Sequence, residues 1–400
     1  MFADRDYVAY FAARQGSAIG SGIETVAVGW QVFQVRHQPF DLGLLGLVMF
    51  LPQALLAFPA GFAADRYDRR MVCIICTVLQ IAGMLAFARL AATHAQSLVA
   101  YLAVAAVVGI ANATAAPAQR SLLATIVRGE HFLRAQALTS SVNEFLSLAS
   151  PALGGVLLLA GAPVAFIAAA AAYAAVAAAY AALRARGSAS GALTMLEGAG
   201  EALRFVVDRK IILGAISLDL FAVLFGGATA LLPVYADSIL HVGPAGLGIL
   251  RSAPALGSGI VAAILIRRPL RRHVGRTLLL TVAGFGIATI VFGLSRSMWL
   301  SCAALAATGG FDMVSVVIRV ALVQMGTPNA LRGRVSALEN VFIGASNELG
   351  EFESGLLAAF AGTTASVVIG GIGTLAVIAL WAGLFPALRR FDRFEDAEPR

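Results

Sequence analysis

The feature that most constrains this chain is a succession of twelve apolar runs, each about as long as a bilayer is thick, separated by short charged or Pro/Gly/Asn-rich breaks. A helix needs about 20 mostly apolar residues to cross a bilayer. The runs predict helices near 11–33, 41–63, 72–90, 98–118, 136–158, 163–183, 212–235, 243–266, 276–294, 298–322, 336–359 and 364–388. Composition agrees: 59% of the residues are hydrophobic and 13% are charged, about half the charged share of an ordinary soluble domain. No soluble core hides that much apolar surface, so the expectation is an all-α integral membrane protein of twelve transmembrane helices.

The net charge of +7 does not point to nucleic acid, because the basic residues form short groups between apolar runs rather than a stripe. They read instead as orientation signals. Of the 29 Lys and Arg residues, only Arg36, Arg89 and Arg296 fall in one set of alternate loops, and Arg14, Arg251 and Arg319 lie within runs. All the others lie in the opposite loops and tails, which predicts both termini on the cytoplasmic side of a bacterial inner membrane. Asp4, Arg5 and Asp6, with Arg14 and Glu24 inside the first run, argue against a cleaved signal peptide. Cys73 and Cys76 form a C-x-x-C among Val72, Ile74, Ile75 and Val78 with no second cysteine pair, and the histidines are isolated. The expectation is therefore no metal and no cofactor.

The sequence repeats. Leu45-Gly46-Leu47 with Pro52 aligns with Leu247-Gly248-Ile249 and Pro254, and the same offset brings Arg66, Arg69 and Arg70 onto Arg268, Arg271 and Arg272. Asn143-Glu144 with Ser150 likewise matches Asn347-Glu348 with Ser354. The expected division is an N-terminal six-helix half (1–183), a cytoplasmic linker (184–211) with a short helix from Leu193 to Arg209, a C-terminal six-helix half (212–388) and a tail (389–400). Parallel six-helix repeats of this kind build many secondary transporters.

The loop after the second run reads GFAADRYDRR, from Gly61 to Arg70. It resembles the signature loop of the major facilitator superfamily, Gly-x-x-x-Asp-Arg-x-Gly-Arg-Arg, and lies where that family has it. With Asp68 in place of the second glycine, it is similar to the bacterial efflux branch of enterobactin exporters and other transmembrane secretion effectors. Trp30-Gln31-Val32-Phe33 and Pro233-Val234-Tyr235 also fit that branch, and the resemblance spans essentially the whole chain. It implies a fold of two pseudo-symmetric six-helix halves. It also implies a conformational latch at Gly61, Asp65, Arg66, Arg69 and Arg70, with Asp65 facing the start of the eleventh helix. Read from the residues alone, an aspartate beside a helix terminus can accept backbone N–H bonds, and the arginines can meet acids or lipid phosphates. The plainer reading is a set of orienting positives and one solvated acid. The second copy, IRRPLRRHVG from Ile266 to Gly275, lacks the aspartate.

The fifth run contains SPALGG, Ser150 to Gly155, which resembles the Gly-Pro-x-x-Gly-Gly element of family members that work as antiporters. Pro151 removes a backbone donor, and Gly154 and Gly155 allow close helix approach. Ser150 replaces the first glycine. An ordinary proline kink with small-residue packing is the rival reading.

Charges inside membrane helices are costly and are functional candidates by default. Arg14, Ser17, Gly20, Glu24 and Gln31 recur at helical spacing in the first run, predicting a polar stripe that faces a cavity. Asp219 lies in the seventh run, and Thr308, Asp312, Ser315 and Arg319 share one face of the tenth. The resemblance implies that the first, fourth, seventh and tenth helices line a central cavity, and Asn112 in the fourth joins the candidates. Glu144, Glu348, Glu351 and Glu353 complete the acids. The last three lie too close together to remain ionised at once in a low-dielectric site, which is the property a proton-coupling site requires. Arg251 is an alternative structural counter-ion for one of them. For each acid the rival reading is a buried pair or a wet vestibule, and Arg14 and Arg319 are expected to snorkel toward an interface.

The resulting expectation is a monomeric exporter of a small amphiphilic molecule (siderophore, drug or metabolite), contacting membrane lipids and driven by protons through alternating access. The alternatives are an importer or lysolipid transporter of the same superfamily and, more remotely, a lipid-modifying membrane enzyme. No loop is long enough to carry the catalytic cluster such an enzyme needs.

Overall fold

A computed structural model describes residues 5–127, 131–184, 195–270 and 272–394. The side chains of residues 57–65 and of Glu144 lie outside the described residues, so the expectations for Gly61, Asp65 and Glu144 are not placed. The described chain is helical: α1 (Arg5–Arg36), α2 (Pro39–Arg66), α3 (Arg69–Ala92), α4 (Leu98–Ile126), α5 (His131–Leu158), α6 (Ala162–Ala182), α7 (Met195–Asp208) and α8 (Lys210–Phe225) come first. A 3-10 turn (Ala228–Leu231), α9 (Leu232–Val234) and a π-helix (Tyr235–Ile239) follow. The chain continues with α10 (Gly243–Arg267), α11 (Val274–Leu294), α12 (Met298–Gly326), α13 (Asn329–Ala361), α14 (Thr363–Leu384) and α15 (Pro386–Arg390).

Every predicted run is helical, but three details differ. Helices outrun their apolar stretches: α4 continues to Ile126, and α12 and α13 leave only a two-residue connection at Thr327 and Pro328. Helical hydrogen bonding does not stop where hydrophobicity does. The seventh run is not one helix, because Gly226 and Gly227 end α8 and Pro233 removes a further donor. The last run breaks at Phe385, between α14 and α15.

Ten stretches among the described residues are long and apolar enough to cross a membrane. The two long helices outside that set are α1 and α13. They carry Arg14, Gln15, Glu24 and Gln31 in one, and Arg332, Arg334, Glu339, Glu348, Glu351 and Glu353 in the other. Many large apolar side chains face outward, among them Leu55, Ile75, Ile266, Leu280 and Phe360. In lipid those faces need no protein partner.

The helices pack as two compact units, Met1–Ala192 with Pro233–Ser252, and Leu193–Leu232 with Ala253–Arg400. In the first, α1 lies on α5 and α6, and α3 on α4 and α6. Tyr7, Tyr10, Cys73, Leu122 and Tyr180 share its core. In the second, α11 packs on α12 and α14, and α8 on α13 and α14. Leu218, Leu278, Ile318 and Trp381 meet in its interior. The short α7 buries Ala202 and Val206 against Ile212, Val323 and Val335, and its Glu201 pairs with Arg334 at 2.6 Å. Each unit turns one helical hairpin on a left-handed glycine, Gly161 (φ 108°) between α5 and α6 and Gly362 (φ 89°) between α13 and α14.

Candidate functional site

The first unit holds an open polar cavity of about 360 Å³ against α1, α4 and α5. Arg14, Ser17, Ser21 and Thr25 of α1 face it at helical spacing, opposite Asn112 and Gln119 of α4 and Asn143 and Ser150 of α5, and Arg251 of α10 also lines it. Arg14 Nη1 donates to Gln119 Oε1 at 2.8 Å. Arg14, expected to snorkel toward an interface, faces this cavity from within α1.

Glu24 is not on that face. It is 3% exposed and accepts the Tyr173 hydroxyl at 2.6 Å. Asn112 is its second hydrogen-bond partner and accepts in turn from Gln80. The polar stripe of α1 therefore splits. Adjacent residues point about 100° apart at 3.6 residues per turn, so Ser21 and Thr25 reach the cavity while Gly20 and Glu24 look at Tyr173. Tyr173 and Asn112 both line the cavity and link Glu24 to its wall. Further along α1, Gln31 donates to the Tyr101 hydroxyl at 3.1 Å.

The SPALGG segment is a packing seam. Ser150 Oγ donates to the carbonyl of Ala18 at 3.2 Å and lies against Gly22, where α1 approaches α5. A Cβ on Gly154 would stand 3.0 Å from the Ile23 backbone, and one on Gly155 would stand 2.6 Å from the Pro244 carbonyl and 2.9 Å from Gly248 Cα. One glycine admits α1 and the other admits α10. Ser354 stands against Gly227 in the second unit as Ser150 does against Gly22.

In the loop motif, Asp68 is the N-cap of α3 and accepts from Arg70 N at 3.0 Å. A carboxylate there satisfies a backbone donor that a glycine would leave open. Arg69 donates to Thr125 Oγ1 of α4 at 3.2 Å, and Arg70 donates to the Ala181 carbonyl of α6. Arg66 is exposed. In the matching loop of the second unit, His273 N donates to Asp392 Oδ1 at 2.8 Å.

The second unit holds a cavity of about 230 Å³ lined by α8, α11, α12 and α13, with Pro254 of α10. Arg319 reaches it from α12. Its guanidinium pairs with Asp219 of α8 through Nη1 and with Glu339 of α13 through Nε at 2.9 Å. Arg319 is 3% exposed and both carboxylates are 6% exposed, so the snorkelling expectation fails for this residue: two acids hold it inside. Asp312 lines the same cavity one face-repeat earlier on α12, beside Thr308. Of the acids expected on α13, Glu351 accepts from Thr229 Oγ1 at 3.5 Å, and Glu353 pairs with Ser354 at 3.4 Å. Glu348 is half-buried, and the α13 residues on the cavity wall are Ile343 and Asn347.

Sequence reasoning missed Glu339, Tyr173 and Gln80. Glu339 is an acid one turn inside an apolar run, and that signal was available. Tyr173 sits alone in the alanine-rich α6, where one aromatic hydroxyl is a weak cue.

Residues 2–399 match the family described as transmembrane secretion effector. The enterobactin exporters EntS of Citrobacter koseri and Shigella boydii are 27% and 26% identical over 390 residues, covering 96% of this chain and 92% of each relative. Among solved structures, the nucleoside transporter NupG superposes with a TM-score of 0.73 at 11% identity, over 96% of this chain and 99% of that one. A bacterial homologue of the human lysosomal transporter Spinster, inward-facing and unoccupied, gives 0.74 at 15% identity over 98% of both. These likenesses fix the fold as that of the major facilitator transporters. The chain belongs to the transmembrane secretion effector family of that superfamily, and is a multi-pass membrane transporter of small molecules rather than an enzyme.

Proposed function

We propose that this transporter exports a small amphiphilic molecule, a siderophore, drug or metabolite, in exchange for protons by alternating access. The observation that carries the coupling is the buried cluster of Arg319, Asp219 and Glu339 with Asp312 on the same cavity. One guanidinium balances one carboxylate, and an excess carboxylate in a membrane interior is stabilised by binding a proton. A cluster with more acids than bases is thus a store that can be loaded from one side and emptied to the other. Similarity to enterobactin exporters supports the outward direction. The small-residue seam at Ser150, Pro151, Gly154 and Gly155 supports helices that slide.

The proposal includes twelve spans in two six-helix halves, 1–183 and 212–388, with α1 and α13 as the two polar spans. It places both termini in the cytoplasm of a bacterial inner membrane, with the protein acting as a monomer. The loop from Gly61 to Arg70 serves as the cytoplasmic latch.

Everted vesicles loaded with a pH-sensitive dye test the proposal. Addition of a cargo compound should release protons from acid-inside vesicles, and Asp219→Asn should remove that response. Accumulation in right-side-out vesicles alone would instead make the protein an importer. Asp65→Asn should slow flux in a folded, inserted protein.

A further inference from the structure

The two cavities answer their arginines differently. Arg319 in the second unit has two carboxylates on it. Arg14 in the first has, among the described residues, the neutral amide oxygen of Gln119 as its hydrogen-bond partner. Among the described residues, no carboxylate lines its cavity; the wall is built from hydroxyls and amides of Ser17, Ser21, Thr25, Asn112, Asn143 and Tyr173. Glu24 lies behind Tyr173 and Asn112, its oxygens already engaged.

A half-buried guanidinium in a membrane bundle is expensive when nothing balances it. Its planar fork matches a carboxylate, to which it gives two parallel hydrogen bonds. Gln119 takes one donor of Arg14 and leaves the rest of the planar fork for a ligand. We infer that the molecule bound in the first-unit cavity is an organic anion, its carboxylate docked on Arg14 and its body hydrogen-bonded by the hydroxyl and amide side chains around it. A cationic amphiphile is disfavoured at Arg14 by like charge. The inference rests on the proposed export function only in taking this ligand as the cargo.

The test is charge selectivity, read without any gradient. The full-length protein in lipid nanodiscs is titrated with matched acid, amide and amine forms of three aromatic scaffolds: benzoate, naphthoate and biphenylcarboxylate with their carboxamides and methylamines. Binding is followed by ligand-observed NMR. A guanidinium bond to a carboxylate outweighs one to a neutral amide oxygen by about 1.5 kcal/mol, so the acids should bind about tenfold tighter than the amides, and the amines more weakly still. Arg14→Gln should level acids and amides, and Arg14→Lys should keep part of the preference. Equal binding of acids and amides, a preference for amines, binding of none of the compounds, or acid preference surviving Arg14→Gln would each overturn the inference. The wild-type selectivity decides the matter even where a variant fails to fold. Acid selectivity without pH-driven flux would remove the export proposal alone. Flux without acid selectivity would remove this inference alone.

Discussion

Replacing Arg319 by methionine should be the most damaging single change in the second unit. The side chain is 3% exposed, and Asp219 and Glu339, its two partners, are 6% exposed each. Removing one member of a buried ion pair typically costs about 3–5 kcal/mol, because a charge is left in low dielectric without compensation. Arg319→Met leaves both acids without their counter-ion and should cost an amount within that range. Asp219→Asn acts differently: Arg319 keeps Glu339 at 2.9 Å, and its other bond passes from a carboxylate to a neutral amide oxygen, a loss of about 1–2 kcal/mol. The triple change Arg319→Met, Asp219→Asn, Glu339→Gln leaves no charge among these three and should recover most of the loss. Trp381 reports the unfolding. Its Nε1 donates to Ser217 Oγ at 3.0 Å, two residues from Asp219, and its ring lies 5.2 Å from that of Phe221. Denaturant titration in micelles, followed by tryptophan fluorescence, should rank the proteins as wild type, Asp219→Asn, triple variant, then Arg319→Met. An Arg319→Met protein that unfolds at the wild-type midpoint would refute the reasoning, as would a triple variant no better than the single one.

Three further changes probe the scaffold. Asp68→Ala removes the N-cap of α3 and should cost about 1 kcal/mol, whereas Asp68→Gly should cost only a few tenths; midpoints of thermal unfolding check the order. Gly155→Leu forces a side chain onto the Pro244 carbonyl and Gly248 and should cost about 1–3 kcal/mol by overpacking, with the α5–α10 approach widened in distance measurements between spin labels. His94 holds a left-handed backbone at φ 50° after α3, so His94→Gly should be neutral to stabilising by up to about 1 kcal/mol, while the same substitution inside α3 would destabilise.

Much of this architecture is legible because a bilayer imposes one length and one backbone solution. The apolar runs give the helices directly, and the short linker helix predicted from Leu193 to Arg209 forms over Met195–Asp208. What the runs hide is local. The end of α8 depends on Gly226 and Gly227 meeting Phe285 and the backbone of α13 at Gly350, a tertiary encounter with no signature in hydropathy. Side-chain direction was legible only to about one face. Arg14, Ser17 and Glu24 fit one stripe by spacing, yet one residue of rotation sends Ser21 to the cavity and Glu24 to Tyr173. Arg319 departs from the snorkelling expectation because the partners that hold it inward, Asp219 and Glu339, come from other helices, α8 and α13.

The internal repeat makes the difference between the cavities informative. At a constant offset of 200, Gly109, Asn112 and Gln119 of α4 correspond to Gly309, Asp312 and Arg319 of α12. Both glycines let their helix close on a neighbour, at the backbone of Met49 in one unit and of Pro254 in the other. The scaffold is therefore duplicated while the polar positions are not. Where the first unit has two neutral amides beside a cation borrowed from α1, the second has an acid and a base of its own and draws two more acids from α8 and α13. Neutral amides can hydrogen-bond a ligand but cannot store a proton at physiological pH, and carboxylates can do both. A symmetric pair of cavities would give cargo and proton the same groups to compete for. Under the proposed function, the divergence gives each unit one task, and the proposed alternating access then needs only that the two fillings favour opposite conformations.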